Sequence, residues 1–174
     1  MNSSANLSAS DFPRTPCFMP LQIGDSAPDF SLAPAPGADA VSLAELRQEG
    51  PVVVLFFPLA FSSVCTDELC ALRDDWSGWS DLGASVVGIS IDSPFVTQKF
   101  AEELDVPFPI VSDFNKDASG AYDVLYEEFF GMHGVAKRSA FVVGQDGAVK
   151  YAWVSEDAGV MPDFDEIKGV LKSL

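Results

Sequence analysis

One cysteine in the first half of the chain stands in a pattern that favours sulfur chemistry. Cys65 follows an apolar run, Val52 to Phe57, that has the length of a buried strand, and Pro58 ends this run because proline donates no backbone hydrogen bond. From Cys65 onward, apolar residues recur at steps of four and three, the period of an amphipathic helix: Leu69, Leu72, Trp76 and Trp79. The pattern predicts a strand, a loop, and a helix whose first turn carries Cys65.

The start of a helix is a favourable place for a reactive cysteine. Its free N–H groups and positive dipole end favour an anion, and the thiolate anion is the nucleophilic form of cysteine. Ser62 lies three residues before Cys65, where its hydroxyl is placed to hydrogen-bond the sulfur, and Pro58 is placed to shield the sulfur from water. The alternative is a cysteine that only fills the core, since free cysteine is among the most buried residue types.

These residues match the motif of a known family. Pro58, Ser62 and Cys65 fit the Pro-x-x-x-Thr/Ser-x-x-Cys signature of peroxiredoxins, and the stretch CTDELC resembles the bacterioferritin-comigratory-protein-like and AhpE-like branches. The resemblance extends from about Gly24 to the C-terminus and includes the later stretch RSAFVV. It implies a thiol peroxidase that reduces hydrogen peroxide and organic hydroperoxides without a metal, haem or flavin, with Cys65 becoming a sulfenic acid.

The same resemblance implies roles for Arg138 and Glu68. In peroxiredoxins the arginine at the place of Arg138 reaches the reactive sulfur, where its charge favours thiolate and its planar donors can hold a peroxide oxygen. Glu68 matches a position that orients this arginine. Without the resemblance, both are equally well explained as surface charges with exposed partners. Ser62 stands where most members carry threonine, so the hydroxyl is kept and a methyl group that limits its rotamers is lost.

Cys70 follows Cys65 by five residues, a spacing that resembles peroxiredoxins whose resolving cysteine lies in the same helix. In an intact helix this spacing means about 7.5 Å of rise and about 140° of rotation, so the two Cα atoms lie about 8.6 Å apart. A disulfide needs Cα atoms within roughly 7 Å, so a Cys65–Cys70 bridge requires the first turns of the helix to unwind. Two other routes stay open: Cys17 can resolve Cys65 from the N-terminal tail, or an external thiol can do so.

Other chemistries have weaker signals. His133, the only histidine, lies in GMHG without the flanking signatures of a Cys–His hydrolase. Cys65 and Cys70 lack the CxxC spacing typical of a zinc site or a disulfide oxidoreductase. A redox sensor or chaperone that binds partners once Cys65 is oxidised is the alternative from another class, and sustained turnover with excess reductant distinguishes the enzyme from it.

Composition predicts one acidic globular domain. The chain has 174 residues, nearly half of them hydrophobic, which is enough for a single substantial core. It carries 26 acidic and 10 basic residues, and its net charge of −16 disfavours nucleic acid and anionic membranes as partners. Strong screening in a high-salt cytoplasm makes such a charge tolerable, so we expect a halophilic protein; the alternative is an acidic protein of a mesophile.

The expected location is the cytoplasm. Three cysteines fit a reducing interior better than a disulfide framework, and the first residues lack the basic start and apolar core of a signal peptide. Residues 1–18 have the composition of a disordered tail, with Met19 as an alternative start, and residues 19–174 form a single domain. The resemblance implies a hydroperoxide substrate, a thioredoxin-like or low-molecular-weight thiol reductant, and a monomer or homodimer.

Strands and helices alternate around the motif. The expected elements are an N-terminal hairpin whose first strand follows residues 28–30 and whose second is 41–43, a helical turn around Leu46, strands at 52–57, 84–91 and 108–111, helices from 65, 94 and 115, an irregular loop at 126–137, antiparallel strands at 139–143 and 148–154, and a last helix at 163–174. This order predicts an α/β domain with a mixed central sheet covered by helices. The resemblance specifies a thioredoxin-like fold with an N-terminal β-hairpin extension.

Overall fold

The computed structural model describes residues 21–174 of the chain. The expected tail over residues 1–18, the alternative start at Met19, and Cys17 lie outside the described residues. The elements follow one another as β1 (Ser31–Leu32), β2 (Val41–Ser42), α1 (Leu43–Glu49), β3 (Val52–Phe56), α2 (Ser63–Asp74), α3 (Trp76–Ser80), β4 (Ser85–Ser90), α4 (Pro94–Leu104), β5 (Ile110–Ser112), α5 (Asp117–Ala121), β6 (Ser139–Val143), β7 (Val149–Val154) and α6 (Phe164–Leu171).

A five-stranded mixed sheet has the order β5–β4–β3–β6–β7. Its central strand, β3, runs parallel to β4 and antiparallel to β6, and the outer pairs are parallel β4–β5 and antiparallel β6–β7. Every residue of β3 is buried, because both faces of the sheet are covered, and this explains why the strand is an unbroken apolar run. The predicted α/β class with a mixed central sheet is confirmed.

Two apolar clusters cover the two faces of this sheet. The side chains of β3 alternate between them, with Val53 and Leu55 in the first cluster and Val52, Val54 and Phe56 in the second. The first cluster packs α2, α3, α4 and α6 against the sheet, and the second packs α1, α5 and the N-terminal hairpin. Helix α2, which carries Cys65, therefore packs on the face of the sheet that α3, α4 and α6 also cover.

The predicted N-terminal hairpin is present, and its first strand follows residues 28–30 as expected. The hairpin strands β1 and β2 pair antiparallel over two residues each. Just before β1, the carboxylate of Asp29 accepts the backbone N–H groups of Phe30 and Ala44 at 3.0 Å each. These bonds join the start of the hairpin to α1.

The predicted helix from Cys65 to Trp79 is interrupted. It ends at Asp74, and Asp75, with φ −108° and ψ 25°, separates α2 from α3. The break agrees with the preference of aspartate for helix ends, and the carboxylate of Asp75 forms an ion pair with Lys168 of α6. The apolar stripe nevertheless continues through both helices, with Leu69, Leu72 and Trp79 buried and Trp76 half-buried.

Smaller corrections also have local causes. Strand β5 begins at Ile110 rather than at residue 108, because Pro109 cannot donate to the ladder. Helix α5 begins at Asp117 because Lys116 has a left-handed backbone, with φ 66°. The predicted start of α4 is confirmed, with Ser93 at the N-cap position and proline at the first helical position, but the side chain of Ser93 makes no capping hydrogen bond. None of the helices in the part of the chain that the structure describes is long and apolar enough to cross a membrane.

Candidate active site

Cys65 is the third residue of α2 and is fully buried. Ser62 occupies the N-cap position, so the predicted placement of Cys65 in the first turn is confirmed. The strand β3 ends at Phe56, and six residues then lead into the helix. The thiol therefore lies at the carboxyl end of the central strand, inside the first apolar cluster and next to free N–H groups of the helix start.

Arg138 reaches the sulfur from the neighbouring strand. It directly precedes β6, and the β3–β6 register pairs Ser139 with Phe56, which brings Arg138 beside the end of β3. Its Nη2 lies 3.2 Å from Sγ of Cys65. Its Nε and Nη2 also donate to the carbonyl oxygen of Ala158 at 3.1 and 2.9 Å. The side chain is only 1% exposed, so this arginine is an internal charge and not a surface one.

Glu68 completes a buried cluster with these two residues. Its Oε2 forms an ion pair with Nη1 of Arg138, and both side chains are inaccessible to solvent. Burial raises the pKa of Glu68 to about 7, although the charge of Arg138 and its hydrogen bond act in the opposite direction. Oε1 of Glu68 has no hydrogen-bond partner among the described residues, which further disfavours the charged carboxylate.

The pKa of Arg138 is also raised, but the raised pKa keeps this side chain charged. Burial lowers the pKa of Arg138, but the charges and hydrogen bonds of Glu68 and Cys65 outweigh burial, and the pKa ends above its usual value. Arg138 is therefore a permanent positive charge next to the sulfur. A fixed cation with several N–H donors stabilises both a thiolate and an oxygen on which negative charge develops.

Ser62 does not make the contact that was expected of it. Its hydroxyl donates to the carbonyl oxygen of Leu59 at 3.0 Å, and a hydroxyl has a single proton to donate. The predicted hydrogen bond from Ser62 to the sulfur of Cys65 is therefore absent in this conformation. Pro58 is buried and lines the same cavity as Ser62, in agreement with its expected shielding position.

A cavity of about 660 Å³ opens beside the cluster. The loop before α2 and the start of that helix form one wall, Arg138 contributes to its lining, and residues 156–159 form another wall. Three apolar side chains complete the lining from the loop between α5 and β6: Phe129, Phe130 and Met132. The cavity is therefore charged at Arg138 and apolar over much of its wall.

The other candidate residues, Cys70 and His133, are not part of this cluster. Cys70 is half-buried on α2 and packs against the first apolar cluster, whereas the helical wheel places it away from the apolar stripe. With α2 intact, Cys65 and Cys70 are both free thiols. His133 is exposed, and its Nδ1 lies 2.8 Å from the carbonyl oxygen of Glu127. No group of metal-binding side chains is found among residues 21–174.

Two residues near the site escaped the sequence-based prediction. Ala158 contributes only its carbonyl oxygen, for which the sequence contains no signal. Asp92 was assigned only to the cap before α4, yet its Oδ2 accepts the N–H of Ala60 in the loop that precedes Cys65, at 2.7 Å. Its position directly after a strand parallel to β3 is the signal that was available, because carboxyl ends of parallel strands lie at one edge of the sheet.

Known proteins are similar to this chain in both sequence and fold. The AhpC/TSA family model matches residues 23–152. Alkyl hydroperoxide reductase E of Mycobacterium tuberculosis is 32% identical over 140 residues, which cover 80% of this chain and 90% of that protein. A putative bcp peroxiredoxin of Coxiella burnetii is 31% identical over 137 residues, covering 78% and 89%. The crystal structure of peroxidoxin BcpB from Mycobacterium tuberculosis is similar with a TM-score of 0.78 and 30% identity, covering 88% of this chain and 98% of that one.

Proposed function

The chain belongs to the AhpC/TSA family and is a peroxiredoxin, a thiol-dependent peroxidase with a thioredoxin-like fold, and we propose that Cys65 is its peroxidatic cysteine. The observation that carries this proposal is the distance of 3.2 Å between Nη2 of Arg138 and Sγ of Cys65 in a buried site beside an open cavity. A cation in this position favours the thiolate and can receive a peroxide oxygen.

In the proposed reaction, the Cys65 thiolate attacks one oxygen of the hydroperoxide in line with the O–O bond. The S–O bond forms while the O–O bond breaks, so that sulfur is oxidised by two electrons and the peroxide is reduced. The departing oxygen takes a proton and leaves as an alcohol or water, and Cys65 becomes a sulfenic acid. Arg138 stabilises the charge on the departing oxygen, while Glu68 and the carbonyl of Ala158 hold the guanidinium in place.

We propose Cys70 as the resolving cysteine. Its thiol attacks the sulfenic sulfur, the S–O bond breaks, and the hydroxide leaves as water with the thiol proton, so that a disulfide is formed. The intact α2 supports the requirement for unwinding, because both thiols lie on one continuous helix from Ser63 to Asp74. A thiol reductant then restores both thiols. We propose a thioredoxin-like protein or a low-molecular-weight thiol for this step, with the protein acting in the cytoplasm as a monomer or homodimer.

Intact-mass analysis after one equivalent of peroxide tests these assignments. We expect the Cys65→Ser variant to gain no oxygen and to lose peroxidase turnover. The Cys70→Ser variant should gain one oxygen as a stable sulfenic acid, whereas the Cys17→Ser variant should form the same internal disulfide as the wild type. Peroxide consumption that survives in Cys65→Ser would reject the central assignment. A wild-type protein that remains sulfenylated would reject Cys70 and leave a one-cysteine cycle.

A further inference from the structure

Asp92 lies outside the cluster of Cys65, Arg138 and Glu68, yet it holds the loop that leads to Cys65. Its Oδ2 accepts the backbone N–H of Ala60 at 2.7 Å and the hydroxyl of Ser90 at 2.9 Å. The carbonyl oxygen of Asp92 accepts the hydroxyl of Ser112 at 2.6 Å. Because Ser90 and Ser112 are the last residues of the neighbouring strands β4 and β5, these bonds hold Asp92 at the carboxyl ends of both strands. The hydrogen bond from Ala60 joins the loop to the same place.

The loop that Asp92 holds has a strained backbone. Phe61, next to Ala60, has φ 64°, a left-handed conformation that bulky residues rarely adopt. Its side chain is 51% exposed and contacts the ring of Phe100, with 4.9 Å between ring centroids. Such a backbone persists only where its surroundings hold it. The Ala60–Asp92 hydrogen bond and the Phe61–Phe100 contact are restraints of this kind.

The proposed reaction requires this part of the molecule in two conformations. Attack on peroxide requires the first turn of α2 to be folded, because this turn puts Cys65 beside Arg138. A bond to Cys70 requires the same turn to unwind. The strained loop continues directly into α2 at Ser63, so release of Ala60 from Asp92 frees the helix at the end that must unwind.

We propose that Asp92 is a positioning residue that sets the balance between the folded, peroxide-reactive conformation and the unwound, disulfide-forming conformation; this inference rests on the proposed roles of Cys65 and Cys70. A carboxylate is suited to this task, because hydrogen bonds to an ionised acceptor are shorter and stronger than bonds to a neutral one. Loss of the bond should shift the balance towards the unwound conformation. Attack by Cys65 then becomes slower, and condensation of its sulfenic acid with Cys70 becomes faster.

Two substitutions and three measurements test the proposal. In Asp92→Ala, we expect faster hydrogen exchange over residues 58–66 of the reduced protein. The second-order rate of Cys65 oxidation by hydrogen peroxide should fall about tenfold, equivalent to about 1.4 kcal/mol in the barrier. The first-order rate of disulfide formation should rise. Asp92→Asn should lie between this variant and the wild type, because its amide oxygen still accepts a hydrogen bond.

Asp113→Asn is the matched control. Like the half-buried Asp92, the buried Asp113 accepts backbone N–H groups, from Ala118 and Ser119 at the start of α5. Its substitution should lower the melting temperature without changing exchange over residues 58–66 and without moving the two rates in opposite directions. A variant of Asp92 that merely destabilises the fold would behave like this control.

Unchanged exchange over residues 58–66 together with unchanged Cys65 oxidation in both Asp92 variants would overturn the proposal. A fall of both rates together would also overturn it. These results are separable from failure of the proposed function. If Cys65 reacts and Cys70 does not resolve it, exchange and the oxidation rate still decide whether Asp92 positions the loop; if Cys65→Ser retains activity, the assignment of the peroxidatic cysteine is what fails.

Discussion

Arg138 is held through all three of its nitrogen atoms. Nε donates to Ala158, Nη1 pairs with Glu68, and Nη2 contacts both Ala158 and the sulfur of Cys65. Because these contacts involve all three nitrogen atoms, the side chain has little freedom to turn away from the sulfur. The geometry of a planar fork is therefore as important here as its charge.

Arg138→Lys tests the importance of this fork. Lysine keeps the charge, but one ammonium group cannot contact Ala158, Glu68 and the sulfur with the geometry of a guanidinium. We expect the second-order rate of Cys65 oxidation, measured by stopped-flow fluorescence, to fall by at least about tenfold, or about 1.4 kcal/mol. The control is Arg73→Lys, since Arg73 is partly exposed and pairs with Asp74 at the protein surface. A smaller loss in Arg138→Lys than tenfold would show that charge alone is sufficient.

Glu68 links the buried cluster to the pH dependence of stability. Its pKa is raised from 4.5 to about 7 by burial, so between these values the folded protein binds a proton that the unfolded chain releases. The free energy of unfolding should therefore fall as pH rises through this window, by a few kcal/mol at most. We expect urea denaturation of Glu68→Gln to lack this component of the pH dependence.

Glu103→Gln is the control for that measurement, because Glu103 is an exposed glutamate on α4. It should retain the pH dependence of the wild type between pH 4.5 and about 7. Parallel pH profiles for Glu68→Gln and the wild type would contradict a raised pKa at Glu68. The sign is specific, since a carboxylate whose pKa is lowered by an ion pair would make the protein more stable as pH rises.

At the scale of elements, the loop between α5 and β6 presents aromatic side chains at the cavity. Backbone hydrogen bonds of 2.8 and 2.9 Å in both directions between Phe129 and Met132 close a tight turn. Phe129 stacks on Tyr126, with ring centroids 4.9 Å apart, and Phe130 packs edge-on against Phe129. This ordered turn leaves Phe130 89% exposed at the cavity wall. We therefore predict that Phe130 contacts the apolar group of an organic hydroperoxide.

Phe130→Ser tests whether the turn contributes to substrate preference. An apolar hydroperoxide that covers about 50 Å² of the ring gains about 1 kcal/mol of binding free energy. This gain raises the reaction rate at low substrate concentration about fivefold. We expect a loss of that size with cumene hydroperoxide and no change with hydrogen peroxide. Phe114→Ser is the matched control, because Phe114 is 62% exposed and lines a different hollow. Equal effects on both substrates would contradict a role in substrate preference.

The elements themselves were largely predictable from sequence because their signals are local. Runs of apolar and β-favouring residues predicted β3, β4 and β6, and the order of Ser93 and Pro94 predicted the start of α4. The error in the predicted helix from Cys65 to Trp79 arose where a side chain acts outside its own element, since Asp75 divides that helix and pairs with Lys168 of α6.

At the scale of the whole molecule, the site depends on contacts between residues far apart in the sequence. Cys65 and Arg138 are 73 positions apart, and the β3–β6 register brings them together. The spacing of residues along the sequence does not reveal how β3 and β6 pair, so Arg138 was identified through the family resemblance. Asp92 was missed for the same physical reason, since Ala60 lies 32 positions before it. The hydroxyl of Ser62 was placed in the correct region, but its choice of acceptor depends on local backbone geometry.

The net charge of −16 leads to a prediction for the entire domain. The buried Arg138–Glu68 pair removes one cation and one carboxylate from the surface, so the large excess of acidic residues remains. Repulsion among the surface carboxylates destabilises the compact state in dilute buffer, and salt screens it. We therefore expect the melting temperature, measured by calorimetry, to rise between dilute buffer and molar KCl.

A double substitution, Glu102→Gln with Glu103→Gln, makes that prediction specific to charge. Both residues are exposed near the C-terminal end of α4, where the helix dipole also disfavours negative charge. The variant should melt at a higher temperature than the wild type in dilute buffer, and KCl should raise its melting temperature by less. A wild-type melting temperature that does not rise with KCl would reject the halophilic hypothesis. A rise that is identical in the variant would mean that salt acts through exclusion from the surface rather than through screening of these carboxylates.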